Sequence, residues 1–341
     1  MPTQIMEAGN SRGFPPPDRV SVIIPTYNGA RHLRPTIDSI LAQDHPAAEV
    51  IVVNDGSTDD TLRVLAPYGP PVRVMTIDNI GVTGARAAGI GVATADWLAF
   101  CDHDDLWSPT HLSRLVGLAR RHELRFLFSD FLHLRNGELA SQSHFESDPS
   151  GFWRRPGRAL GDDFFIAEAP LLPHVLQYQV IFPSCTLVER GFLERVGGLN
   201  PAMGRNVSED LEFTLRCVAE APAGIDRQPT VHIRRHETNY SADWIRGVGD
   251  AIDILKFADQ HHNLPDPWRR AVRDQVRERS IYGIDLCFAQ KRFGDIRRFT
   301  GNLSPREIPL KTSVKLAIAR SPRFIAEPLT AALTALRTAF H

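Results

Sequence analysis

The chain has 341 residues, with 39 Lys+Arg against 40 Asp+Glu, and a formal net charge of −1. A hydrophobic share of 43% and a charged share of 23% are ordinary for a globular protein and exclude a disordered or fibrous chain. The nearly neutral balance argues against a nucleic-acid-binding protein. Four cysteines without a C-x-x-C pair disfavour zinc and disulfide scaffolds and favour a reducing compartment. Because neither a secretory signal nor a membrane-spanning run is recognised, we expect a cytoplasmic protein.

The charge is distributed unevenly along the chain. Residues 241–341 hold 17 Lys+Arg and 11 Asp+Glu, whereas residues 1–240 hold 22 and 29. A polar, proline-rich start predicts a disordered leader over residues 1–18. The charge split and the element pattern then predict an α/β domain over residues 19–240 and a basic, helical C-terminal region over residues 241–341.

Apolar runs and helical patterns alternate through the first part of the chain. Buried strands are predicted over residues 20–24, 50–53, 72–77, 97–101 and 126–128, with helical patterns after the first four. Repeated strand–helix units predict a mostly parallel sheet with helices on both faces, whose ligands bind at the carboxyl ends of the strands. Residues 140–180 lack periodicity and predict an excursion that covers a site. Helical patterns return over residues 189–196 and 208–218, and from Trp244 onward.

Polar segments follow the first two strands. Pro25-Thr26-Tyr27-Asn28 follows the first, where Pro25 predicts the end of the strand. Tyr27 could stack on a nucleobase or be a surface side chain in an ordinary turn. Asp55 follows the second strand and could accept a hydrogen bond from a base or ribose; a purely structural role is equally compatible with the pattern.

A glycine-rich turn follows the third strand, at residues 78–86. Such a turn before a helix could hold phosphate at the helix N-terminus. The dinucleotide-binding fingerprint and the P-loop are both absent from the sequence. Arg86, within the following helix, could reach a phosphate or a base, or it could be a solvated arginine.

The segment Cys101-Asp102-His103-Asp104-Asp105 after the fourth strand is the most informative. In an extended chain Asp102 and Asp104 point the same way, and carboxylates that close need a cation between them. A hard divalent ion completed by substrate phosphates fits such a pair, with an acidic surface loop as the alternative. Ser208-Glu209-Asp210 has the composition of any helix start. Asp210 could also act there as a general base facing the sheet edge.

Taken together, six segments resemble a family 2 glycosyltransferase of the GT-A fold across residues 20–241. These segments are VSVIIPTYNGARHL, VIVVNDGSTDDT, NIGVTGARAAGI, CDHDD, PSCTLVERGFLERVGGLN and SEDLEFTLR. The resemblance implies a Rossmann-like GT-A catalytic domain over residues 19–240. It also implies metal-assisted, inverting transfer of one sugar from a nucleotide-sugar donor, expected to be a UDP-sugar, to an acceptor hydroxyl. Cell-surface polysaccharide or glycoconjugate synthesis would be the setting. A Q-x-x-R-W element is not found, which favours a non-processive enzyme.

The resemblance also assigns roles to residues. The donor would be bound by Pro25, Thr26, Tyr27, Asn28, Asp55, Arg86, Asp102 and His236. Asp102 and Asp104 would hold Mn²⁺ or Mg²⁺, with Asp104 as the direct ligand, and Asp210 would be the catalytic base. Two positions depart from the family pattern: Ala87 replaces the Asn of A-R-N-x-G, and the bulky His103 replaces a small residue.

Two other functions stay open at this point. One is a sugar-nucleotide-forming nucleotidyltransferase, although PTYNGA after the first strand lacks the basic, glycine-rich signature of those enzymes. The other is a nucleotide-sugar-binding module without catalysis. In the C-terminal region, Leu329, Leu333, Leu336 and Phe340 share a helical side near Arg337. This side could contact an anionic membrane that carries a lipid-linked acceptor, pack on the catalytic domain, or form a homodimer. A glycan acceptor is equally compatible.

Overall fold

The structure, a computed structural model, describes residues 18–200, 203–204, 206, 208–236, 243–322 and 324–331. The strands are β1 (Val20–Thr26), β2 (Glu49–Asp55), β3 (Val72–Ile77), β4 (Trp97–Phe100), β5 (Leu106–Trp107), β6 (Phe126–Arg135), β7 (Glu138–Leu139), β8 (Arg158–Ala159), β9 (Phe164–Ala167), β10 (Thr186–Glu189) and β11 (Ala223–Arg235). The helices are α1 (Leu33–Leu41), α2 (Thr61–Leu65), α3 (Val82–Val92), α4 (His111–His122), α5 (Leu172–Gln177), α6 (Arg190–Arg195), α7 (Glu209–Cys217), α8 (Trp244–His261), α9 (Asp266–Ala289), α10 (Ile296–Thr300) and α11 (Leu310–Ala319).

One sheet organises the α/β part of the molecule. Its strand order is β3-β2-β1-β4-β10-β6-β11-β9-β8, with β5 on β11 and β7 on β6. The strands β3, β2, β1 and β4 pair in parallel, and so do β6 and β11. Since β10 is antiparallel to both β4 and β6, the two parallel blocks run in the same direction. Six strands therefore end at the same edge.

The sheet is mixed, whereas the strand–helix repeats predicted a mostly parallel one. The difference arises from β10 and β9, which are antiparallel to their neighbours. The segment expected to be an excursion over residues 140–180 supplies β9, which extends the sheet beside β11. The fifth predicted strand also continues well past Phe128, to Arg135. The predicted sheet flanked by helices and the helical C-terminal region are confirmed.

Continuous apolar strands are explained by burial on both faces of the sheet. Ile23 and Val53 belong to a core that includes Leu211 of α7, on one face. Val22 and Val52 belong to a second core that includes Ile37 of α1, on the other face. Because successive strand residues point to opposite faces, every residue of β1 and β2 is buried.

The helices of the C-terminal region pack on one another and against α7. A third core contains Ile252 of α8, Ile284 of α9 and Phe299 of α10. The imidazole of His262 contacts Glu212 of α7, with Nε2 and Oε1 2.9 Å apart. In the part of the chain that the structure describes, no helix combines the length and hydropathy needed to cross a membrane.

Some predictions fall outside the described residues. They concern the leader up to residue 17, and Leu333, Leu336, Arg337 and Phe340 of the C-terminal helical side. Leu329 is described and is exposed. Whether that side contacts a membrane or a second copy stays a prediction, as do the domain boundaries.

Candidate active site

The candidate site lies at the edge where the parallel strands end. Asp55 ends β2, and its carboxylate is buried against the turn that begins α3. Its two oxygens accept the backbone N–H groups of Ile80 at 2.8 Å and of Gly81 at 2.9 Å. Gly81 has a φ of 90°, a conformation that favours glycine. Asp55 therefore fixes the glycine-rich turn, and each oxygen keeps a lone-pair site for a second donor.

The segment after β1 meets the segment after β2. Pro25 lies inside β1 and does not end the strand as predicted. Proline is accommodated there because the pairing of β1 with β4 stops at Ile23, so that Pro25 is paired only with β2. The side-chain oxygen of Asn28 accepts the backbone N–H of Thr58 at 2.8 Å, and the backbone N–H of Asn28 donates to the Ser57 hydroxyl at 2.9 Å. Asn28 thus joins the two loops.

Two further side chains of the segment after β1, Thr26 and Tyr27, are candidates for ligand contact. The ring of Tyr27 is 47% exposed, which leaves it available to stack on a planar ligand. The hydroxyl of Thr26 is buried and has no hydrogen-bond partner in the described part of the chain. A buried hydroxyl of this kind is costly unless it is paired, which makes Thr26 a candidate ligand contact.

Arg86 of α3 connects the fourth strand end to α7. Its guanidinium donates to Asp102 at 2.6 Å and also forms an ion pair with Glu209. The side chain of Arg86 is only 5% exposed. Although burial opposes a charged form, the two carboxylates raise the pKa of Arg86, so the guanidinium stays charged. Arg86 is therefore a buried bridge and not a solvated arginine.

Residues 102–105 form a turn, and this overturns the extended geometry assumed from the sequence. The N–H of Asp105 donates to the backbone oxygen of Asp102 at 3.1 Å. As a result the carboxylates have separate partners: Asp102 contacts Arg86, whereas Oδ2 of Asp104 lies 3.1 Å from Nε2 of His236. His236 in turn stacks on His32, with ring centroids 4.9 Å apart.

The buried carboxylate of Asp105 fixes this turn through hydrogen bonds to two other segments. It accepts the Ser184 hydroxyl at 2.5 Å and the backbone N–H of Arg234 at 3.0 Å. Ser184 accepts the backbone N–H of Asp102 at 3.0 Å. Burial, followed by the charges of Asp104 and Asp102, raises the pKa of the Asp105 carboxyl. Asp105 therefore ties the acidic turn to β11.

Asp210 lies in the first turn of α7, next to the ion-paired Glu209. Burial, and then the charge of Glu209, raise the pKa of Asp210 to about 8. Its Oδ2 accepts from the side-chain amide of Gln179 at 3.4 Å. A carboxylate with a raised pKa in a protected position has the properties of a general base.

The structure thus brings Arg86, Asp102 and the start of α7 into direct contact, and places Asp104 against His236. Sequence reasoning missed four contributors: Asp105, Ser184, Glu209 and Gln179. Glu209 was attributed to a helix start, and Ser184 stood in the quoted segment PSCTLVERGFLERVGGLN without a role. Only its contact with Arg86, 123 residues away, distinguishes Glu209 from an ordinary first-turn acid.

Part of the chain is similar in sequence to known glycosyltransferases. Residues 21–161 match the model of Glycosyl transferase family 2. The uncharacterized glycosyltransferase YibD of Escherichia coli (strain K12) is 38% identical over 152 residues, 43% of each chain. The succinoglycan biosynthesis protein ExoO of Rhizobium meliloti (strain 1021) is 41% identical over 99 residues, 28% of each chain. The chain spans less than half the length of the curated relatives it matches. These matches support assignment to glycosyltransferase family 2.

Solved structures show the fold. TarS 1–349 of S. aureus, in complex with UDP-GlcNAc, has a TM-score of 0.62 at 16% identity, covering 92% of both chains. The mannosyltransferase PcManGT from Pyrobaculum calidifontis, in complex with GDP-Man and Mn²⁺, has a TM-score of 0.57 at 18% identity, covering 94% of this chain and 80% of that one. The fold is accordingly a GT-A type mixed sheet flanked by helices, with a helical C-terminal region.

Proposed function

We propose that this protein transfers one sugar from a nucleotide-sugar donor to an acceptor hydroxyl, with inversion at the anomeric carbon. The observation that carries the proposal is the Arg86 bridge, which holds the start of α7, and with it Asp210, beside the acidic turn. The family match and the relative named for succinoglycan biosynthesis support polysaccharide or glycoconjugate synthesis.

The donor is assigned to the loops after β1, β2 and β3. Tyr27 would stack on the base, and Asp55 would use its remaining lone pairs for a base N–H or a ribose hydroxyl. Pro25, Thr26 and Asn28 would shape this pocket around the nucleotide. A UDP-sugar is the donor we expect, and the fold shared with a UDP-GlcNAc complex supports it.

The residues present fit a divalent cation completed by substrate. Asp104 and His236 offer two donor atoms 3.1 Å apart, both on partly exposed side chains. Mg²⁺ and Mn²⁺ bound with one or two protein carboxylates usually take further oxygens from phosphate and water. We assign Asp104 and His236 as ligands and keep Asp102 as a further carboxylate that would hold the diphosphate through the ion. When bound, Mn²⁺ or Mg²⁺ neutralises charge on the departing diphosphate.

Asp210 supplies the base. Its ionised carboxylate would take the proton from the acceptor hydroxyl as that oxygen attacks the anomeric carbon and the bond to the nucleoside diphosphate breaks. A single displacement of this kind inverts the configuration. Arg86 is a positioning residue, since it acts on Asp102 and on the helix that carries Asp210.

The experiment is a panel of nucleotide sugars with Mn²⁺, scored by thermal shift and by release of nucleoside diphosphate with and without glycan acceptors. We expect one class of donor to stabilise the protein and to release diphosphate faster when acceptor is present. Formation of pyrophosphate from a nucleoside triphosphate and a sugar phosphate would instead identify a nucleotidyltransferase. Donor binding without turnover, under all acceptors, would identify a non-catalytic binding module.

A further inference from the structure

A second group of polar side chains lies on β6, on β11 and in the segments before and after α5, and one of its members, Gln179, contacts Asp210. The group, called here the acceptor-side wall, consists of His133, Arg135, His144, Gln179 and Arg235. None of these residues was assigned to the donor or the cation. Arg135 is exposed and the other four side chains are partly exposed, so solvent reaches the wall.

Contacts connect the wall to Asp210. The Gln179 side chain donates to Asp210, and the Gln179 backbone oxygen accepts from Nε2 of His144 at 2.9 Å. The His144 ring stacks on Phe131 of β6, with centroids 4.3 Å apart and planes inclined by 19°. Phe131 also contacts His133 edge to face at 5.2 Å. His133, His144 and Gln179 are therefore held in place by their contacts with Phe131, with Asp210 and with one another.

Two arginines lie side by side at the end of this surface. Arg235 of β11 and Arg135 of β6 are register partners in the parallel pair. The Nε of Arg235 donates to Nδ1 of His133 at 3.3 Å. Arg235 is also within electrostatic reach of Asp210 and of Arg135. Arg235 thus lies within electrostatic reach of the proposed base, with Arg135 beside it on the neighbouring strand.

Arg135 is exposed and is not held in a close ion pair. Its register partner on β7 is Glu138, but among the residues that the structure describes its side chain makes neither a hydrogen bond nor an ion pair with that carboxylate or with any other group. Arg135 therefore lies between a like charge, Arg235 of β11, and an opposite charge, Glu138 of β7. Burial holds the pKa of both His133 and His144 down to about 4, so neither histidine adds a charge at neutral pH. The wall consequently presents arginine cations beside neutral hydrogen-bonding groups.

We propose that the acceptor-side wall binds an oxyanion carried by the acceptor, a phosphate or a carboxylate near the attacking hydroxyl. The guanidinium fork matches both groups, because it donates two parallel hydrogen bonds to adjacent oxygens. Gln179 and the histidines then contact the neutral part of the acceptor. This inference rests on the proposed function and adds the chemical class of the acceptor to it.

The test compares matched acceptors with the donor found in the panel. Each set contains a neutral methyl glycoside, its 6-phosphate and its uronic acid, so that the phosphate and carboxylate arms are read separately. We expect at least one anionic member to exceed its neutral partner in kcat/KM by about tenfold or more. Arg135→Gln should remove most of that preference, chiefly through KM for the acceptor. Arg121→Gln, at an exposed arginine near the end of α4, is the matched control and should keep it.

Three outcomes separate the alternatives. Equal transfer to neutral and anionic acceptors would overturn this inference and leave the proposed function intact. Weaker binding of nucleoside diphosphate to the Arg135→Gln variant, by the same factor as the loss of transfer, would assign the oxyanion to the donor and also overturn it. Absence of diphosphate release with every donor and acceptor would overturn the proposed function itself, and with it this inference.

Discussion

The buried guanidinium of Arg86 forms an ion pair with Glu209, which lies 123 residues further along the chain. The same guanidinium contacts Asp102, so one side chain holds the helix α3, the acidic turn and the start of α7 together. The side chains of Arg86 and Glu209 are only 5% and 9% exposed. If one partner is lost, water can therefore do little to solvate the charge of the other.

Removal of this arginine should destabilise the protein. Arg86→Gln leaves Asp102 and Glu209 without their cation, and the loss of one partner of a buried pair costs about 3–5 kcal/mol. Urea unfolding measures the change. The double variant Arg86→Gln/Glu209→Gln should recover part of the loss, because it removes one of the stranded carboxylates. Equal stability of the single variant and the wild type would contradict the bridging role.

Substitution of the proposed base should separate turnover from binding. Asp210→Asn keeps the shape of the side chain but cannot accept the acceptor proton, so turnover should fall by about 10²–10⁴. Donor affinity, measured by calorimetry, should change little. Asp274→Asn, at an exposed position of α9, is the control and should keep wild-type turnover. A fully active Asp210→Asn variant would exclude Asp210 as the base.

The pKa of Asp210 predicts an unusual pH profile for a carboxylate base. Burial raises this pKa to about 8, and the base acts only when ionised. The kcat/KM should therefore rise with pH and level off above about 8, whereas an ordinary aspartate would give a flat profile from about pH 5 upward.

The charge of Glu209 is the second cause of that shift. Glu209→Gln should consequently move the midpoint of the profile to lower pH, and Glu194→Gln, at an exposed position of α6, should not. A profile that is already level at pH 6 in the wild type would show that Asp210 is not the titrating group.

Close packing between Gly29 and its neighbours gives a further prediction. A Cβ at position 29 would lie 2.3 Å from the hydroxyl oxygen of Thr26 and 2.8 Å from Cδ2 of His103. Gly29→Ala should therefore displace the acidic turn, cost about 1–3 kcal/mol in stability and weaken binding of nucleotide with Mn²⁺. Gly91→Ala within α3 meets no atom within 4 Å and should instead stabilise the protein by about 0.5–1 kcal/mol. Unchanged nucleotide affinity in Gly29→Ala would contradict the link between this contact and the site.

The sequence predicted the location of the central strands because strands buried on both faces have long apolar runs, but it ended β1 two residues and β6 seven residues too early. Asp55 and Asp102 could be placed at the sheet edge for that reason. The partners of these residues could not be predicted, since the Arg86–Glu209 pair and the Arg235–His133 contact depend on packing between segments about 100 or more residues apart. The predicted convergence of Asp102 with Asp104 assumed an extended chain. That assumption was wrong, because the segment is a turn, in which side chains two residues apart need not point the same way.

Gln179 and His144 illustrate a different limit. Both lie in the segment over residues 140–180, whose composition shows no period. The position of His144 follows from ring stacking with Phe131, and that of Gln179 from its hydrogen bonds with His144 and Asp210; neither feature has a local signature. From the sequence we could therefore predict only that this segment covers a site, and not which of its side chains contact that site.

The four-residue strand β10 separates two parallel parts of the sheet, so that one part can change in length without the other. Among the strands that the structure describes, only β10 pairs with both the β3-β2-β1-β4 block and the β6-β11 block, and it is antiparallel to both. Each block therefore keeps its own ladder of parallel hydrogen bonds, and a change of length at the end of β6 or β11 need not alter the register of β1 and β2. The surface beside β6 could therefore change while the loops after β1, β2 and β3 keep their arrangement.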